Sequence, residues 1–218
     1  MKNWTWKDGV ALLIWLLPLA YLATFYKRLP ASVPVHFGMD GRPDRYGNPS
    51  EFLLAVLVLM GAAALAYLLL KFLPSIDPRR TAKYSAHTFR QLGFVMLLFI
   101  TAINLAIMYG TQHEGLRMEK VIFPLIGLLF TYMGNMMHSL KPNYFVGIRT
   151  PWTLESEDTW CKTHQLAGKL WLPGGLLLTA LALVLPSAAA VVVFMVLLFV
   201  MILIPVIYSY IYFKRGNA

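Results

Sequence analysis

Polar residues in this chain come in clumps, and between the clumps apolar positions run almost unbroken. Six such runs cover residues 9–26, 52–73, 92–109, 121–137, 170–185 and 188–213. A helix needs about 20 apolar residues to cross the hydrocarbon of a bilayer, so each run is near the length of one span. The fifth is short unless Ala167 and Gly168 extend it. The last is long enough to tilt or project past the interface. None alternates with a period of two, which excludes a closed barrel. Hydrocarbon offers no partners for backbone groups, so helices remain. The fold class predicted is an all-α integral membrane protein, a bundle of six transmembrane helices.

Two long loops interrupt the bundle. In residues 27–50, Val33, Val35 and Phe37 alternate with Pro34 and His36, a short-strand pattern. Asp40-Gly41 then marks a turn, because glycine reaches positive φ without steric cost. A hairpin-like cap is expected there, with Ser50 capping the second helix and Glu51 in its first turn. In residues 138–169, Thr153 or Ser156 can cap a helix that carries Glu155, Glu157 and Asp158 near its positive end. Trp160, Thr163, His164 and Ala167 follow on one face, which predicts a short interfacial helix before the fifth span. The turn Asp77-Pro78 with Arg79 and Arg80 joins spans two and three. The chain divides into an N-terminal unit at 1–73, a connecting segment with the third span at 74–120, and a C-terminal unit at 121–218.

Composition agrees with the pattern and charge orients it. Of 218 residues, 58% are hydrophobic and 13% charged, against about 45–50% and 25% in soluble domains. Net charge is +9, and in a membrane protein Lys and Arg mark the cytoplasmic side. With the N-terminus inside, Lys2, Lys7, Lys71, Arg79, Arg80, Lys83, Arg90, Lys141, Arg149, Lys162, Lys169, Lys214 and Arg215 fall inside. Only Lys27, Arg28, Arg42, Arg45, Arg117 and Lys120 fall outside. Both termini are therefore placed in the cytoplasm, the 27–50 loop outside and the 138–169 loop inside. No basic-aromatic module for nucleic acid appears. The first run follows Lys2 and Lys7 as a signal peptide would, but lacks a small-residue cleavage site, so a retained helix is expected. Cys161 is the one cysteine, which rules out an intrachain disulfide.

Three groups of side chains could carry chemistry. His36, Asp40 and Asp44, beside Arg42 and Tyr46, sit on the outer turn; their spacing matches no known metal motif, and local turn bonds account for the aspartates. Arg149 can hold an anion bidentately or pair with Glu155, Glu157 or Asp158. Thr131, Asn135 and His138 share a face of span four with Gly127 and Gly134 near them, and Asn104 of span three could join a polar cavity. Packing between helices is the plainer account of that group. Trp152, Trp160 and Trp171 read as interfacial anchors. No carboxylate lies mid-span, which weighs against an ion-driven pump. No catalytic residues, cofactor or metal are assigned.

Two strings carry a family resemblance. Val33-Pro34-Val35-His36-Phe37 with Gly41-Arg42-Pro43-Asp44-Arg45-Tyr46-Gly47 resembles a domain of unknown function that accompanies the SdpI family. Asn143-Tyr144-Phe145-Val146-Gly147-Ile148-Arg149-Thr150-Pro151-Trp152-Thr153, followed by Trp160 and His164, resembles that family's C-terminal signature. The resemblance implies a bacterial plasma-membrane protein. It also implies immunity to a membrane-active peptide toxin on the outer side, with signalling to a cytoplasmic regulator. Membrane lipids are the other partners expected. A transporter of small solutes or peptides, and a membrane enzyme using His36 or His138, are the alternative readings.

Overall fold

The computed structural model describes residues 5–76, 86–113 and 115–216; the turn at 77–80 lies outside them. Seven α-helices and one hairpin are found among these residues: α1 Trp6–Phe25, β1 Val33–Phe37, β2 Pro43–Gly47, α2 Pro49–Ile76, α3 Ala86–Gln112, α4 Glu119–Met136, α5 Pro151–Glu155, α6 Glu157–Val184 and α7 Ser187–Gly216. All but α5 are long and apolar enough to span a membrane. Leu13, Val58, Leu65, Val184, Val192 and Phe199 are each more than half exposed. A soluble monomer seldom shows so much apolar surface, whereas lipid covers it without cost.

The chain forms two compact units, residues 1–70 with 90–122 and residues 71–89 with 123–218. In the first, Leu22, Phe25, Val33, Phe52, Val56, Met60 and Met108 form one apolar cluster. Side chains then bond across to neighbouring helices. Trp15 Nε1 donates to the Met60 carbonyl at 2.8 Å and Asn104 Nδ2 to the Val56 carbonyl at 3.1 Å. Tyr67 donates its hydroxyl to Asp8 at 2.6 Å, and Gln112 Nε2 donates to the Tyr21 hydroxyl at 2.7 Å. Asp8 also closes the capping box with Thr5 that begins α1.

In the second unit, α4 and α6 run antiparallel along a seam of glycines. Gly127 and Gly134 on one helix, and Gly168 and Gly175 on the other, are each seven residues apart. Seven residues is about two turns, so each pair shares a stripe. A Cβ at Gly134 would lie 2.9 Å from Leu172 Cα, and one at Gly127 would lie 2.7 Å from the Gly175 carbonyl. The backbones touch, as small residues allow in membranes. Next to the seam, Phe123 stacks on Phe194 with centroids 4.0 Å apart.

Several expectations need correcting. The polar segment before the fifth span is helical, and Ser156 caps it by accepting from Thr159 N at 3.2 Å. It is not a separate interfacial helix, however. Residues 157–184 form one helix, because the buried stripe of Trp160, His164, Ala167, Trp171, Gly175, Leu178 and Ala182 is continuous. Loss of apolarity was read as the end of a span, but helix continuity depends on backbone bonds and packing. Trp160 and Trp171 are buried rather than anchored at an interface. The cap of α2 is Asn48, whose Oδ1 accepts from Glu51 N at 2.9 Å, and Ser50 donates to that cap.

Gly134→Ala should therefore lower the melting temperature of the purified protein in detergent, since overpacking costs about 1–3 kcal/mol. Gly61→Ala, where a Cβ meets nothing within 4 Å, should leave it unchanged or raise it through helix propensity.

Candidate functional site

The sequence signals converge on two places, one in each unit. In the first unit the hairpin pairs antiparallel, with Val33 opposite Gly47, Pro34 opposite Tyr46, His36 opposite Arg45 and Phe37 opposite Pro43, and two irregularities between. Val33 and Val35 turn inward to the helix cluster. The turn is closed by Gly38 N donating to the Arg42 carbonyl at 2.8 Å and Gly41 N to the Gly38 carbonyl at 3.0 Å. Asp40 Oδ1 accepts from Arg42 N at 3.1 Å, the local turn bond expected of it. Gly41 takes φ +73° and presses on Glu119, the buried first residue of α4. Met118 N donates to the Gly41 carbonyl at 3.3 Å. The turn is thus seated on the start of α4, a contact the sequence reading missed. A lone carboxylate opening a span was the available signal.

What the hairpin leaves on its outer face is polar. His36 Nδ1 lies 2.5 Å from Asp44 Oδ1, an exposed cross-strand pair, so the ring nitrogen donates and the carboxylate accepts. Exposed pairs contribute about 0–1 kcal/mol, so this one orients side chains more than it stabilises. Asp40, Arg42 and Tyr46 are exposed beside it. No group of three metal-binding side chains converges among the described residues.

In the second unit, residues 139–164 fold into a hydrogen-bonded knot. Asn143 is buried and makes four bonds. It donates to the carbonyls of Lys141 at 2.9 Å and Val146 at 3.0 Å, and accepts from Phe145 N and Val146 N at 2.8 Å each. Gly147 then takes φ +116°, and a Cβ there would lie 3.1 Å from the Trp160 ring and strike His164 Nε2. His164 is read from both nitrogens. Its Nδ1 faces the Trp160 carbonyl at 2.8 Å, which can only accept, so Nδ1 carries the proton. Its Nε2 accepts from Ile148 N at 3.0 Å. The geometry needs the neutral imidazole in that tautomer. Trp160 stacks on this ring at 4.1 Å and donates to the Leu140 carbonyl at 3.0 Å.

From Ile148 the network runs on to α7. Thr153 Oγ1 donates to the Ile148 carbonyl at 2.8 Å, and Thr150 caps α5. Thr150 Oγ1 lies 3.3 Å from Ser209 Oγ, which also accepts from Trp152 Nε1. The Trp152 ring meets Tyr210 edge-on at 5.2 Å. Asn143, Gly147, Thr150, Trp152, Trp160 and His164 are thus largely engaged within the chain. Arg149 is the exception: it is exposed and, among the described residues, donates only to the Tyr144 carbonyl. The expected ion pair with Glu155, Glu157 or Asp158 does not form, and Asp158 accepts from the Tyr212 hydroxyl at 2.6 Å. Ser209, which joins the knot to α7, was not singled out in sequence; its place as a small polar residue among tyrosines was the clue.

Of the intramembrane group, Thr131 and His138 face the same α6 seam, whereas Asn135 and Asn104 do not join them. Thr131 turns its hydroxyl back to the Gly127 carbonyl at 3.0 Å, beside Gly175. His138 lies against Gly168, while Asn135 is exposed. Asn104 belongs to the first unit, and its buried Oδ1 has no hydrogen-bond partner among the described residues.

Six apolar helices of spanning length, a hairpin seated on one unit and a knot within the other define a multi-pass α-helical membrane protein. Residues 139–209 match the SdpI/YfhL protein family, and residues 13–61 match DUF1648, a domain of unknown function. The chain is 24% identical over 213 residues to the immunity protein SdpI of Bacillus subtilis (strain 168), covering 97% of this chain and 98% of the relative. It is 41% identical over 59 residues to an uncharacterized protein of Archaeoglobus fulgidus, covering 27% of this chain and 30% of that protein. No solved structure matches. Residues 139–209 thus resemble the SdpI/YfhL family and residues 13–61 the DUF1648 domain ahead of it, as the two motifs led us to expect.

Asn143→Ala and His164→Ala should each cost about 1–3 kcal/mol, because each leaves buried backbone groups unpaired. Lys162→Gln, on the exposed side of α6, should stay within about 0.5 kcal/mol of wild type. Thermal unfolding in detergent, followed by circular dichroism, checks the contrast.

Proposed function

We propose that this protein is a bacterial plasma-membrane immunity and sensor protein of the SdpI kind, with no enzymatic activity. The observation that carries the reading is similarity to an immunity protein along nearly the whole of both chains. In this reading the hairpin faces outward and both termini face the cytoplasm, as the distribution of Lys and Arg favours. His36, Asp40, Arg42, Asp44 and Tyr46 then meet a membrane-active peptide at the outer leaflet. The seat of Gly41 on Glu119 supports a further step, since a peptide that displaced the turn would disturb the start of α4. The knot on the cytoplasmic side is the surface offered to a regulator protein. A transporter is the second reading, favoured by one observation: the unpartnered amide oxygen of Asn104, buried within a span. Substrate-dependent flux into liposomes holding the purified protein would distinguish it.

Two outcomes are expected. Cells expressing the protein should survive a matched membrane-active peptide toxin better than cells without it, and the His36→Ala, Asp44→Ala double variant should lose protection at unchanged protein level. Equal killing with and without the protein across all toxins tried would remove the immunity claim. For topology, the exposed Cys161 should react with an impermeant thiol reagent only after permeabilisation. M39C, placed in the exposed turn on a background where Cys161 is replaced by Ser, should react in intact cells. Labelling of both under the same condition contradicts the orientation.

A further inference from the structure

Arg149 stands at a depth where a lone cation needs an anion. Its neighbour Thr150 touches Ser209 of α7 at 3.3 Å, which fixes its height along that helix. Ser209 lies 22 residues beyond Ser187, the first residue of α7, or about 33 Å at 1.5 Å per residue. Hydrocarbon is about 30 Å thick, so a helix that enters near Ser187 brings Ser209 to the opposite boundary. Aromatic rings mark the same level: Tyr210 packs on Trp152, and Tyr208 stacks on Tyr212 with centroids 5.7 Å apart. Such rings settle where headgroups begin. Lys214 and Arg215 lie five and six residues further on, about 7.5–9 Å nearer to water.

The guanidinium is held in place and unpaired, because Asp158, the acid that reaches α7 near this level, is bonded to the Tyr212 hydroxyl at 2.6 Å instead. No carboxylate among the described residues pairs with Arg149. One N–H of the guanidinium is anchored to the Tyr144 carbonyl, and Asn143 fixes the turn that aims it. The rest of the fork is exposed. A planar fork of N–H donors matches two oxygens of a phosphate, and it loses less freedom on binding because it is already oriented.

We infer that Arg149, set at the lipid boundary by the 143–153 knot, is a binding site for the phosphate of an anionic phospholipid. The lipid's glycerol phosphate occupies the depth of Tyr210 and its acyl chains lie against the exposed apolar surface of α7, where Ile207 and Ile211 are about half exposed.

The test uses the full chain purified in a neutral detergent. Phosphatidylglycerol, phosphatidylcholine and inorganic phosphate are added in parallel, bound lipid is counted by native mass spectrometry, and melting is followed alongside. Wild type should retain one more phosphatidylglycerol than R149Q, with about fivefold higher affinity. Phosphatidylcholine should not separate them, and R149K should fall between, since it keeps the charge without the fork. The double variant K214Q, R215Q should weaken binding less than R149Q does. Equal retention by wild type and R149Q overturns the site. So does a loss of the same size in the double variant, which means diffuse attraction. Stabilisation by inorganic phosphate equal to that by the lipid overturns the lipid assignment. If R149Q does not fold, R149K against wild type gives the same comparison.

Discussion

Hydrocarbon supplies no hydrogen bonds, and that lack governs how the chain is built. Every backbone group inside the bilayer must be satisfied by its own helix. Side-chain donors are then left to share carbonyls already in use. Trp15 and Asn104 do so on Met60 and Val56 of α2, whereas Trp171 donates at 2.7 Å to the Met201 carbonyl of α7, which Pro205 four residues on cannot bond. These bonds tie helices together where apolar contact alone discriminates little between one neighbour and another, since lipid is as apolar as leucine. The glycine seam meets the same need differently, by bringing two backbones within van der Waals contact.

The six spans were legible because length and apolarity are properties of composition in a window, and a bilayer reads composition. The hairpin was legible because Val33, Val35 and Phe37 alternate and Asp40-Gly41 turns. The extent of α6 was not. Between Glu157 and Lys169 the sequence becomes polar, yet the residues that turn inward there, Trp160, Thr163, His164 and Ala167, are buried in the protein rather than facing lipid or water. A hydropathy window averages the two faces of a helix and cannot see that. Long-range partners were equally out of reach. Nothing local says that Ile148 N–H ends on His164, or that Thr150 meets Ser209 59 positions away.

The same limit explains how the motif residues divide. A string as unusual as residues 143–153 looks like a ligand site, but most of its polar atoms face one another. Asn143 and His164 give their hydrogen-bonding capacity to backbone, which is what an irregular segment beside a membrane requires. Arg149 is what remains outward. The hairpin follows the opposite plan: its apolar side chains are spent on the helix cluster, and its polar ones face out.

The unbroken course of α6 has a mechanical meaning. Twenty-eight residues make a rod about 42 Å long with one weak point, Pro173, which has no N–H for the ladder and is followed by Gly174 and Gly175. The knot grips its first three turns through Trp160 and His164, and the glycine seam grips its middle at Gly168 and Gly175. The stretch between the knot and the seam is continuous helix, and Pro173 beside Gly175 sets the place where the remainder, out to Val184, can bend independently of it.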